Sequence, residues 1–335
     1  MKMNRIAILV LSLSLIAGVL WAAGSAEESS AGTDDPFRIA VIMPSATTDT
    51  AFSQSMWQAL TSVQADMGGE SAVELVYSEN MFKVPDAAAA VRDYAGQGYN
   101  LIVAHGSQYG SFVEEIAPDF PETAFAWGTD VNTFGLPNVY AYTAAAEQGG
   151  YVNGVMAGLL TKTGKIGVTG PVEVGDARTY VSGFVQGVAA AEPAVTVAQT
   201  WTGSFSDVAL MAAAAQTHIS AGADILTGSS QSVVGSIGAA EKAGDVLWFG
   251  TQADQSSLSA DLVVASQVYD WTDMLKEIIA ATDQGVYGGE TYILTLENGG
   301  LQIAFNPDFD IPEDVMEAAE EAIAGIADGS IVVTP

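Results

Sequence analysis

From Pro36 onward the chain repeats one pattern: a short, unbroken apolar run ending in Gly, Ser, Thr or Asp, then a stretch with helical periodicity. Runs at 37–43, 73–77, 101–104, 124–127 and 139–142 read as strands. Helices are predicted over 51–67, 84–97 and 109–117, the second opened by Pro85 and Asp86. After a long helix over 146–161 the alternation restarts. Strands are expected at 166–169, 195–201, 225–227, 246–249 and 262–268, with helices over 177–191, 206–221, 231–243 and 271–284. A polar hairpin over 292–304, a helix over 312–328 and a last strand at 331–333 complete the pattern. Strands that are apolar along their whole length are buried on both faces, which calls for parallel sheets covered by helices. About ten such units exceed one compact sheet, so the expected fold class is α/β with two doubly wound parallel-sheet lobes. In open parallel sheets, ligands bind beyond the carboxyl ends of the strands. The candidate segments are therefore 44–52, 105–109, 128–130, 170–176, 202–205, 228–231, 251–255 and 269–271.

The N-terminus carries Lys2 and Arg5, an apolar run over 6–20, and small residues Ala22, Ala23, Gly24, Ser25 and Ala26. That order is expected of a secretory signal peptide over 1–26, cut after Ala26 or after Gly24. The run is short against the ~20 residues of a membrane span. Residues 27–36 are acidic and Ser- and Gly-containing, as in a flexible leader. With no cysteine to carry a lipid, the expectation is a periplasmic or extracellular protein without a lipid anchor.

Composition narrows the chemistry. The 40 acidic residues against 10 basic ones give a net charge of −30, which argues against nucleic-acid binding through a basic surface. The charge also fits adaptation to high salt, where screening relieves self-repulsion. The absence of cysteine excludes disulfides, Cys-ligated zinc and a thiol nucleophile. There are two histidines: His105 ends a predicted strand just before Gly106 and Ser107, and His218 falls inside a helical pattern. No nucleophile elbow, P-loop, zincin motif or dinucleotide fingerprint is present, so neither an enzyme nor a cofactor or metal site is expected.

Aromatic residues stand at the strand ends instead. Phe52 follows Asp49, Tyr109 follows the third strand, Trp201 and Phe205 bracket a turn, and Tyr269-Asp270-Trp271 end another strand. Rings so placed suit a flat heteroaromatic ligand, stacked on its faces and hydrogen-bonded at its edges.

Several motifs, in order, resemble those of the Bmp (basic membrane protein) group of ABC-transporter substrate-binding proteins, which includes the purine nucleoside receptors. Asp49-Thr-Ala-Phe-Ser-Gln54 stands where the family has D-x-S-F-N, and 98–104 is similar to its G-Y-D-L-I segment. Residues 120–125 resemble F-P-D-x-x-F, and Glu147–Gly154 running to 161–167 (TKTGKIG) resembles E-x-G-(Y/F)-L-x-G followed by T-K-T-G-K-V-G. Residues 183–187 (GFVQG), 203–207 (GSFSD) and 250–255 (GTQADQ) resemble G-F-x-x-G, G-S-F-x-D and G-V-D-x-D-Q.

The resemblance implies a type I periplasmic-binding-protein fold with two lobes joined by three strands, drawn as 37–145 plus 253–287 and 146–252 plus 288–335. It implies a monomer that closes over a small-molecule ligand and meets an ABC permease in the inner membrane. It implies stacking by Phe52 and Phe205. The polar candidates beside them are Asp49, Ser53, Ser107, Ser229, Gln252, Asp254 and Asp270, with Tyr109, Tyr269 and Trp271 as further rings. The family's Asn is here Ser53, its first aspartate of G-V-D-x-D-Q is Gln252, and its lysine near the end of the tenth strand is Tyr269. These departures move the expectation from ribose recognition toward a free purine base, adenine-like, or a nucleoside. A riboflavin-like ring, a sugar, an amino acid, or a sensory rather than a transport role are the alternatives.

Overall fold

The computed structural model describes residues 35–335. The segment read as a signal peptide, and all but the last two residues of the leader, lie outside the described residues.

The apolar runs form two six-stranded sheets. The first holds β1 (Phe37–Ile42), β2 (Val73–Ser78), β3 (Leu101–His105), β4 (Ala124–Gly128), β5 (Val139–Ala144) and β11 (Thr291–Leu294), in the order β11-β5-β4-β3-β1-β2. The second holds β6 (Lys165–Gly170), β7 (Thr196–Trp201), β8 (Ile225–Thr227), β9 (Leu247–Gly250), β10 (Val263–Tyr269) and β12 (Leu301–Phe305), in the order β12-β10-β9-β8-β6-β7. All pairs are parallel except β10 with β12. Every residue of β3 and β4 is buried, as their unbroken apolar character requires. Both sheets reverse their winding at one place, between β1 and β3 and between β6 and β8.

The helices are α1 (Phe52–Asp66), α2 (Val84–Gly96), α3 (Gly110–Ile116), α4 (Ala146–Leu160), α5 (Gly175–Ala191), α6 (Val208–Ser220), α7 (Val234–Ala243), α8 (Thr272–Asp283) and α9 (Glu313–Ala327). The closest helix pair is α4 with α5. A Cβ on Gly150 or Gly154 would overlap the carbonyls of Tyr180 or Phe184, and one on Gly183 or Gly187 those of Glu147 or Tyr151. Glycines four residues apart on both helices therefore bring the two backbones into contact. Beyond α4, the turn 161–164 is held by Asp224, which accepts from Thr161 Oγ1 (2.6 Å), Lys162 N (2.7 Å) and Thr163 N (3.0 Å).

Three expectations about the C-terminal third differ from the structure. The region 292–304 is not a hairpin: β11 adds to β5 in the first sheet and β12 to β10 in the second. No strand forms at 331–333; Ile331 instead donates its N–H to the Gly325 carbonyl and packs its side chain against that glycine. The division that gave 253–287 to the first lobe and 288–335 to the second also differs from the strand order. β10 continues the second sheet after β9, and only then does α8 pack on α1 and β11 join the first sheet. The chain thus passes between the sheets three times: after β5, after β10 and after β11.

Candidate functional site

Both winding reversals open at the carboxyl ends of their strands, where backbone groups and loop side chains are free to meet a ligand. One cavity, open to solvent and with about 440 Å³ of atom-free space counted together with that opening, lies there and takes residues from both lobes. The first lobe contributes Pro44, Phe52, Phe82, Gly106, Ser107, Gln108 and Thr129. The second contributes Asp176, Ala177, Phe205, Ser229, Ser230, Gln231 and Gln252.

Phe52 opens α1, and the loop before it is built by Asp49. That carboxylate accepts from the Ser45 hydroxyl and from the N–H groups of Ala51 (2.8 Å), Ser53 (3.1 Å) and Gln54 (3.0 Å). It thereby satisfies donors that a helix start leaves open. Burial raises the Asp49 pKa, against the pull of these hydrogen bonds. Behind Phe52 lies His105, its ring stacked at 3.7 Å between centroids and 12° between planes. His105 Nε2 donates to the Phe52 carbonyl (3.0 Å), which leaves Nδ1 to accept from Tyr142 Oη (2.8 Å). The imidazole is wholly buried, and that burial pushes its pKa down to about 3 despite the Phe52 carbonyl.

Phe205 faces the cavity from the loop after β7. Its carbonyl accepts from the hydroxyls of Ser230 (2.9 Å) and Ser232 (3.2 Å). Gly203, at φ 78°, turns the chain, and Asp207 caps α6 through Ala209 N and Leu210 N. The G-S-F-S-D segment is therefore a turn, a ring and a helix cap in succession.

The polar wall is in the second lobe. Asp176 Oδ2 accepts from Gln252 Nε2 (3.0 Å) and from Tyr269 Oη (3.1 Å). Burial raises the Asp176 pKa, and the two hydrogen bonds oppose it. Gln252 holds a left-handed backbone, φ 71°, and its Oε1 is buried without a partner, as is Oε1 of Gln231. None of the lining residues is lysine or arginine.

Of the expected site residues, Phe52, Ser107, Phe205, Ser229 and Gln252 line this cavity. The others do not reach its wall. Asp49 and the buried Ser53 sit behind Phe52, with Ser53 Oγ on Ser45 Oγ (2.8 Å). Tyr109 is buried among apolar residues and donates to the Met81 carbonyl (2.8 Å). Tyr269 stands behind Asp176 with burial, then the neighbouring carboxylate, holding its pKa well above the usual phenol value. Trp271 is enclosed and donates to Ser55 Oγ (3.0 Å). Asp254 and Asp270 are exposed, each accepting a backbone N–H two residues on, from Ser256 and Thr272. Asp176 and Phe82 were not singled out in the sequence. Asp176 did lie within a candidate strand-end segment; nothing local marked Phe82.

Among the described residues no helix is long and apolar enough to cross a membrane, and no cluster of His, Asp and Glu suited to a metal ion is found. The family model for PnrA-like ABC transporter substrate-binding proteins (Bmp) matches residues 37–332. A purine-binding protein of Brucella abortus is 28% identical over 77% of this chain and 72% of its own length. An ABC transporter nucleoside-binding protein of Lactococcus lactis is 25% identical over 99% of both chains. A solved ABC transporter solute-binding protein from Conexibacter woesei shares the fold with a TM-score of 0.73 at 23% identity, over 89% of this chain and 98% of that one. The chain belongs to the Bmp family of PnrA-like ABC transporter substrate-binding proteins.

Proposed function

We propose that this protein captures a purine base or nucleoside, with an adenine-like base preferred, and delivers it to its permease. The observation that carries this reading is that Phe52 and Phe205, on different lobes, line the same cavity. A flat ring placed between them touches both lobes at once. It therefore favours the closed arrangement over the open one by the contacts that only closure completes. Polar groups around the two rings supply hydrogen bonds for the edge of the base. The purine- and nucleoside-binding names of the two relatives support the same ligand class.

A thermal-shift screen against nucleobases, nucleosides, riboflavin, sugars and amino acids tests it. A ligand at about 100 times its Kd adds roughly 2.7 kcal/mol of stability, a clear rise in Tm. Adenine or guanine should raise Tm more than their nucleosides do. Phe52→Ala and Phe205→Ala should each weaken base binding by about 1–3 kcal/mol, the scale of one base–aromatic stack, read by calorimetry. A rise with sugars or amino acids alone, or unchanged affinity in both variants, would reject the sandwich.

A further inference from the structure

Two of the three positions at which the chain departs from the family pattern, Gln252 and Tyr269, lie 17 residues apart in sequence, yet their side chains meet at one atom, Oδ2 of Asp176. Asp176 lies in the first turn of α5 and lines the cavity, while the tyrosine behind it is 2% exposed and Gln252 is 3% exposed. Both donors are committed to the same oxygen. No other side chain among the described residues donates to this carboxylate, which otherwise meets only the backbone N–H groups of Ala177 and of Asp176 itself. Because the Gln252 amide gives its Nε2 to Asp176, its Oε1 is buried with no partner. A buried acceptor left unpaired is destabilising, and so is a side chain held at positive φ. Gln252 carries both, at the cavity wall. Gln231 Oε1 adds a third acceptor without a partner, and no cation lines the space.

We propose that Asp176, held by Gln252 and Tyr269, is the specificity-determining residue of the cleft, and that it selects neutral or cationic ligands that offer N–H or O–H donors to it. Anionic ligands meet a carboxylate and lone acceptors, with no positive group to receive them. The inference rests on the cleft holding a purine base, and it assigns the lobe and the group that read that base's donors. Tyr269 is a positioning residue: it orients the carboxylate without touching the ligand.

The test is a comparison of analogues by calorimetry. Adenine is set against purine, which lacks the 6-amino group, and against 9-methyladenine, which lacks the N9–H donor. Wild-type protein should lose about ten- to hundredfold in affinity for at least one of the two, the range of a hydrogen bond to a charged group. In Asp176→Asn the carboxamide oxygen satisfies Gln252 and Tyr269, so its NH2 turns to the cavity. That loss should then shrink to less than about threefold, while adenine itself binds at least tenfold more weakly. Tyr269→Phe should weaken adenine severalfold but keep the difference between analogues. If wild-type protein does not distinguish the analogues, or Asp176→Asn distinguishes them as well as wild type does, Asp176 does not read the ligand and the purine reading stands. If the bases and adenosine and guanosine all fail to bind but D-ribose or D-galactose binds, the purine reading falls. The assignment of Asp176 then survives only if Asp176→Asn weakens the sugar at least tenfold. Binding of none of these probes overturns both.

Discussion

Phe52 is positioned by a ring that never reaches the cleft. His105 backs it, Tyr142 backs His105 at 5.9 Å and 11°, and Trp271 meets both edge-on. An imidazole so enclosed stays neutral. Its pKa is near 3 when folded and about 6.5 when unfolded, so below pH 6.5 only the unfolded chain takes up the proton. Folded stability from this group is therefore whole above pH 6.5 and declines toward pH 3, by up to ~1.4 kcal/mol per pH unit. His218, also lowered by burial, adds in the same direction, while the raised carboxyls Asp49, Glu147 and Asp176 act oppositely. The comparison with His105→Gln isolates the effect: between pH 7 and 5 the wild-type Tm should fall more steeply than the variant's. Parallel slopes would show that His105 is not held neutral. At this scale the sequence was partly legible. A strand end locates Phe52, Ser107, Phe205, Ser229 and Gln252, because position along a parallel strand is a local property. Side-chain direction is not local, so Tyr109 and Trp271 turned into the core. The role of Asp176 depends on partners 76 and 93 residues away.

The most family-like segments turn out to be fittings between elements. E-Q-G-G-Y-V-N-G on α4 and G-F-V-Q-G on α5 place glycines where each helix meets the other's carbonyls. T-K-T-G-K is a turn closed by Asp224. Gly183→Ala forces a methyl group into the Glu147 carbonyl and should cost about 1–3 kcal/mol or more, since backbone atoms cannot step aside. Denaturant unfolding should show a lower midpoint with an unchanged slope. Gly238, with open space around its Cβ position, is the control: Gly238→Ala should leave the midpoint unchanged or raise it. Strands and helices were legible within three residues at their ends through α8, because apolar runs and helical periodicity are carried within each segment. The helix at 312–328 was legible too, but the segment 292–304 was not, because it has the polarity of a hairpin and its strands take partners from different sheets. An apolar triplet at 331–333 likewise says nothing about whether an open edge awaits it.

At the scale of the molecule, acids stand mostly without counter-charges. With a net charge of −30, only Arg38, Arg92 and Lys276 form ion pairs among the described residues. Self-repulsion of such a surface is relieved by screening, whose length falls from ~10 Å at 0.1 M salt to ~3 Å at 1 M. Tm should therefore rise as NaCl increases from about 0.1 M to about 3 M, and a flat or falling curve would remove the high-salt reading. The three passages between sheets carry a further consequence, in the order of synthesis. β11 and β12 are only six residues apart, at Thr295–Gly300, yet one finishes the first sheet and the other the second. A chain ending before Thr291 would leave β5 and β10 as bare, apolar edges together, and should aggregate rather than yield one finished half. Neither lobe is older than the other in the life of a nascent chain. The two are completed in one short stretch near the end, so the protein has no half-built form in which one hand is ready before the other.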